Sequence, residues 1–176
     1  MNKYKGFTLI ELVVVIAIIG VLCALLIPTM MGWTVKSRIN TNNSNAKELY
    51  NGLLSACVVL ENNGGSVKTG VMTVNCNTIE SMPDFDCGIM SEDECKELFK
   101  SVDEKYEDTS KSKWSANFDD SDSSVVTGVV FSQKSNKYCG GYPVLCPEDI
   151  KYATGSETII EDCIKYASGT TPWPEH

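Results

Sequence analysis

Hydrophobic and polar positions divide this chain unevenly. From Phe7 to Trp33 the side chains are mostly apolar, and from Leu12 to Ile27 none is charged or strongly polar. A helix needs about 20 apolar residues to cross hydrocarbon, so this run is long enough to span a bilayer. Ser37 to Asn45 follows, with four asparagines and weak helix propensity. From Ala46 the pattern changes again. Ala46, Leu49, Tyr50, Leu53, Leu54, Cys57 and Val58 step by three and four, one apolar stripe that requires a covering layer. The pattern predicts one long helix from about Phe7 to Asn62, ended by Asn62-Asn63-Gly64-Gly65. Gly20 and Pro28 are expected to interrupt its apolar half, since proline removes a backbone hydrogen bond and kinks a helix.

The remainder reads as short strands and helices. Val67 to Val74 alternates loosely, as a strand does. Ser91 and Glu94 form a capping box ahead of Cys95, Leu98, Phe99, Val102 and Tyr106, the stripe of a second helix. Lys111 to Phe118 is a further strand, and Phe118 to Ser124 an acidic turn. Val125 to Ser132 is the clearest strand, with the continuous apolar character of a buried central position. Lys137 to Cys146 suggests a strand and turn. Ile159, Ile160, Cys163, Ile164 and Ala167 follow helical spacing, and Thr170 to His176 reads as a loose tail. Two similar strings, Ile150 to Gly155 and Ile164 to Gly169, are too few to define a repeat architecture. A long helix followed by strands without regular alternation points to an α+β fold, with the amphipathic half-helix on an antiparallel sheet.

One residue breaks the apolar run. Glu11 is the only charge between Phe7 and Val35. A charge inside a membrane helix costs about 2.5–3.5 kcal/mol on insertion scales, so it requires a partner. No charged partner lies on the same helix, which leaves the processed N-terminus or another molecule. A secretory signal peptide fits poorly, because its apolar region is shorter and ends in a small-residue cleavage site. An ordinary signal anchor with a tolerated Glu near its edge is the plainer alternative.

The string Lys5-Gly6-Phe7-Thr8-Leu9-Ile10-Glu11, with Pro28 deeper in the run, resembles the N-terminus of type IV prepilins and of type II secretion pseudopilins. The resemblance covers residues 1 to about 35. It implies a leader peptide over 1–6, a transmembrane and assembly half-helix over 7–35, and an exported domain over 36–176 that begins with the amphipathic half-helix 36–62. It further implies cleavage after Gly6 by a prepilin peptidase, N-methylation of Phe7, and pairing of Glu11 with the Phe7 ammonium of a neighbouring subunit. Such a pair specifies register more than it stabilises, because a misregistered subunit leaves both charges unpaired. Gly20 and Pro28 then mark the region that loses helicity inside filaments. Lysines flank the span on both sides, so orientation rests on the resemblance, with a cytoplasmic N-terminus.

Charge narrows the partners. Loss of Lys3 and Lys5 with the leader takes 15 basic residues to 13 against 23 acidic ones, and the formal balance from -8 to -10. A surface this acidic repels phosphate backbones, so no nucleic acid partner is expected. Cys23 lies in the apolar run as a small hydrophobe. The other seven cysteines, Cys57, Cys76, Cys87, Cys95, Cys139, Cys146 and Cys163, fit an oxidising exported compartment. Seven is odd, so at least one is free or pairs between chains. Cys139 with Cys146 is the first expected disulfide, because Gly140-Gly141-Tyr142-Pro143 between them reads as a turn, and Cys76 with Cys87 is the next. No Cys-x-x-Cys occurs and the one histidine is terminal His176, which disfavours zinc and any Ser-His or Cys-His catalytic pair. Asp119, Asp120 and Asp122 are a calcium candidate, but the glycine and final glutamate of an EF-hand loop are missing and a solvated turn explains them better. No other cofactor is expected. Tyr138, Tyr142, Tyr152, Tyr166 and Trp173 are either core or a sticky surface.

The expectation is therefore a non-enzymatic structural subunit of a type IV pilus. It would start as a single-pass inner-membrane protein and end in an extracellular filament of like or mixed pilins on a bacterial cell surface, built by assembly machinery for adhesion, motility or surface interaction. The alternatives are a type II secretion pseudopilin, a DNA-uptake pilin, which the acidic domain disfavours, and a minor pilin at a filament tip.

Overall fold

The computed structural model describes residues 6–75, 78–81, 85–104, 112–119, 121, 125–133, 138–147 and 159–173. The chain forms two units, Met1–Ser37 and Arg38–His176. The first is the N-terminal part of helix α1, which runs from Leu9 to Asn62. Every described side chain from Gly6 to Thr34 is exposed. The helix is long and apolar enough to cross a membrane.

Helix α1 continues through Gly20 and Pro28, the positions expected to interrupt it. Proline deletes a single hydrogen bond, and Ala24, Leu25, Leu26 and Met30 around it are strong helix formers. The asparagine-rich stretch is helical too. Ile39, Asn42, Asn43 and Ala46 are all buried at three- and four-residue spacing, so packing overrides weak propensity. The stripe therefore begins earlier than its apolar residues suggest. It continues through Leu49, Leu53, Ala56, Cys57 and Leu60, with Tyr50 and Leu54 half-buried. Val58, expected in the stripe, is 54% exposed. The helix stops where the sequence indicates: Gly64 has φ of 78°, and its N–H donates to the Glu61 carbonyl at 2.8 Å.

In the second unit, the predicted strand at Val67 to Val74 divides into β1 (Ser66–Val67) and β2 (Gly70–Asn75). Two further strands, β3 (Thr78–Ser81) and β4 (Phe85–Asp86), carry too little alternation to be read from sequence. Helix α2 (Glu92–Glu104) begins at the expected box: Glu94 Oε2 accepts the Ser91 N–H at 2.7 Å and the Ser91 hydroxyl at 2.9 Å. Strands β5 (Ser112–Asp119) and β6 (Val125–Gln133) match expectation. The segment after them holds the expected strand and turn, but Gly140–Tyr142, read as part of the turn, is strand β7, and the chain turns beyond it, across a cis Tyr142–Pro143 bond. Helix α3 is Ile159–Ala167. The first string of the suspected repeat, with Tyr152, and Tyr106 of the α2 stripe lie outside the described residues.

The main sheet is antiparallel throughout, in the order β3-β2-β5-β6-β7. The register Trp114↔Phe131, Ala116↔Val129 and Met72↔Ala116 aligns one apolar face. That face shares a core with Leu49, Leu53, Cys57 and Leu60 of α1 and with Cys95, Phe99 and Val102 of α2. Fully burying a leucine of this kind stabilises by about 1.5–3 kcal/mol. Helix α3 packs on β5, β6 and β7. A Cβ on Gly128 would meet the Ser168 backbone, and Gly128 opposes Asn117 on the face away from Trp114. The sheet is thus covered on both faces. The fold is α+β, a long N-terminal helix with a small antiparallel sheet.

Candidate functional site

The chemistry singled out in sequence lies at the first turn of α1. Thr8 is its N-cap: Glu11 N–H donates to Thr8 Oγ1 at 3.3 Å. Glu11 Oε2 in turn accepts the Thr8 amide at 2.8 Å and the Thr8 hydroxyl at 2.7 Å. This is a capping box, in which two groups otherwise orphaned at a helix start satisfy each other. Glu11 therefore has partners within its own helix, an amide and a hydroxyl, although no charged one lies there. The Thr-x-x-Glu spacing was the legible signal for it. Phe7, Ile10, Glu11, Val14 and Val15 share one side of the helix and line a shallow groove there. Cys23 is exposed further along.

In the second unit the polar chemistry gathers where α1 crosses β7. Asn43, 7% exposed, accepts the Gly141 N–H at 2.9 Å and the Cys146 N–H at 3.1 Å on Oδ1, and its Nδ2 donates to the Cys146 carbonyl at 3.0 Å. Asn42 donates to the Tyr138 carbonyl at 2.8 Å. Gly140 abuts the Asn42 and Asn43 backbone so closely that any side chain there would displace the helix. Sequence reasoning took these asparagines for weak helix formers and missed their role.

The cysteines fall into groups. Cys139 Sγ lies 3.5 Å from Cys163 Sγ on α3. Hydrogen bonds with the Cys146 and Cys163 thiols, together with burial, push the Cys139 thiol well above its ordinary range. Cys87 contacts Cys95, whose thiol is pushed up to about 12 by burial and by that contact. Burial and the nearby Glu61 raise Cys57 to about 12. Cys76 lies outside the described residues, so its expected pairing with Cys87 does too.

Of the calcium candidates, Asp119 is engaged in its own turn. It accepts the Ser121 N–H at 3.0 Å and the Thr69 hydroxyl at 3.5 Å, bonds that hold its carboxyl below the usual range, the Ser121 bond first. Asp120 and Asp122 lie outside the described residues, and no group of three metal-ligating side chains occurs among those described. The expected loose tail is packed as far as Trp173, whose indole donates to the Val144 carbonyl at 3.3 Å and whose ring lies 5.2 Å from that of Tyr166. Tyr142 meets Tyr50 edge-on, with ring centroids 4.9 Å apart.

The capped glutamate at the head of the exposed apolar helix falls inside residues 1–27, which match the prokaryotic N-terminal methylation motif. The particular relatives are pilins. The chain is 46% identical over 48 residues to the type IV major pilin protein of Myxococcus xanthus, covering 27% of this chain and 22% of the relative. It is 41% identical over 64 residues to a fimbrial protein of Moraxella nonliquefaciens, covering 36% and 39%. It is 55% identical over 38 residues to the type IV major alpha-pilin of Moraxella bovis, covering 22% and 24%. The chain thus matches less than two-fifths of the length of these relatives. They are structural subunits and not enzymes. No solved structure gives a significant match.

Proposed function

We propose that this chain is a structural subunit of a type IV pilus. The prepilin peptidase would cleave after Gly6 and N-methylate Phe7. The apolar half-helix would hold the subunit in the inner membrane until assembly machinery draws it into an extracellular filament. The observation that carries this reading is Glu11, set among exposed apolar side chains inside a matched methylation motif. Its capping box with Thr8 solves a storage problem. A carboxylate waiting in lipid keeps hydrogen bonds to its own helix, and the ammonium of an incoming subunit can then add a charge partner without first being needed for insertion.

Two experiments test the reading. Mass spectrometry of material sheared from cells should find abundant chain beginning at methylated Phe7. Processed chain confined to the membrane fraction would favour a type II secretion pseudopilin instead, and unprocessed chain in cells that hold the peptidase would sink both. Glu11→Ala should abolish surface filaments while leaving cleavage at Gly6 intact. Normal filament yield from that variant would reject Glu11 as the assembly carboxylate.

A further inference from the structure

We infer that Cys139 is the shared sulfur of two successive disulfides, first with Cys146 and finally with Cys163, so that a short loop hands its bond over to helix α3. Three buried thiols meet at one place. Cys139, Cys146 and Cys163 are each no more than 2% exposed; Cys139 Sγ lies 3.5 Å from Cys163 Sγ, and the Cys146 amide shares Asn43 Oδ1 with the amide of Gly141, two residues beyond Cys139. A sulfur forms only one disulfide at a time, so the two linkages exclude each other and one thiol is always left over.

Order follows from chain length. Cys146 lies 7 positions beyond Cys139 by residue number, and Cys163 lies 24 beyond it. In a flexible chain the closure probability falls as about the three-halves power of loop length, which favours the shorter closure about sixfold before the fold forms. The folded geometry favours the longer one. Cys139 and Cys163 approach to 3.5 Å, while the backbone of Cys146 is tied on both sides to Asn43 of α1. The first step takes the two thiols of Cys139 and Cys146 and one external disulfide, which is reduced to two thiols as the Cys139–Cys146 bond forms. In the second step the Cys163 thiolate attacks Cys139 Sγ. The Cys139–Cys163 bond forms, the Cys139–Cys146 bond breaks, and Cys146 leaves as a thiolate that takes up the proton Cys163 gave to solvent. No further oxidant is needed. Thiolate is the nucleophile and burial disfavours it, so exchange belongs to the period before α3 has docked, and docking locks the product.

The test is refolding of the reduced full chain in detergent with oxidised and reduced glutathione, sampled by acid quench, alkylation and peptide mapping. Cys139–Cys146 should accumulate early and give way to Cys139–Cys163, with Cys146 alkylated only after denaturation. Cys146→Ala should reach the same final bond severalfold more slowly, and Cys163→Ala should stop at Cys139–Cys146. Cys139–Cys146 as the end product of the native chain, a bond that excludes Cys139, no oxidation of the trio, or undiminished speed in Cys146→Ala would each overturn the proposal.

Discussion

Asn43 joins three backbone groups through one buried side-chain amide. Asn43→Ala should therefore destabilise by about 2–4 kcal/mol, since the penalty is that of stranded buried donors rather than of one average hydrogen bond. Urea unfolding of the detergent-solubilised chain measures it. Glycine 140 sets a complementary limit: Gly140→Ala should lower the unfolding midpoint by an overpacking cost of about 1–3 kcal/mol, because the obstacle is helix backbone that cannot rotate away. Cys57 offers a chemical check. With its thiol raised from 9.0 to about 12 and 2% exposed, it should react with iodoacetamide at pH 8 about a thousandfold more slowly than an ordinary cysteine, until the chain is unfolded.

At the scale of elements, helix α2 is fastened by its N-terminus. Ser91→Ala should weaken it by about 1 kcal/mol, as loss of an N-cap does. Its partner Glu94 titrates below its ordinary value because the Ser91 N–H and then the Ser91 hydroxyl bind the ionised form. A lowered carboxyl stabilises fully above its unfolded pKa of about 4.5 and loses that contribution as pH falls through the lowered value. Helicity of α2 followed by amide exchange should therefore fall in acid, and less so in Glu94→Gln. This capping box was legible because both residues lie in one short string. So were the stripe from Ala46 to Cys57 and the spacing of α3, because apolar side chains carry periodicity openly. Ile39, Asn42 and Asn43 continue the same stripe, but two of them are polar. Their burial depends on backbone groups about a hundred positions away, which no local pattern records. Strands β3 and β4 escaped for a different reason: at four and two residues they are too short to alternate.

Across the whole molecule, the N-terminal motif was readable as far as Glu11, whereas the sheet order and the second covering layer depend on pairings between distant segments. Leu53 sits fully buried in the core shared by both helices and the sheet, so Leu53→Ala should cost about 2–5 kcal/mol and reduce the amount of chain recovered from cells. The formal charge of -8, which the proposed cleavage would take to -10, predicts no DNA binding at physiological salt, which fluorescence anisotropy with labelled duplex would check.

In the filament proposed for this chain, a subunit displayed side by side with many copies of itself would face a hazard that a dilute monomer does not. Any bare sheet margin invites a neighbour to add a strand, and ordered assembly would give way to uncontrolled β-stacking. Among the described residues, strand β7 ends the sheet at only three residues and runs into Pro143, which has no donor to offer. Its Gly141 N–H is already taken by Asn43 from the domain's own helix. The amide that holds helix to strand thus also plugs the sheet's open margin. Replacing it should make purified protein prone to amyloid-like aggregation, detectable with an amyloid-binding dye, at concentrations where the native chain stays dispersed.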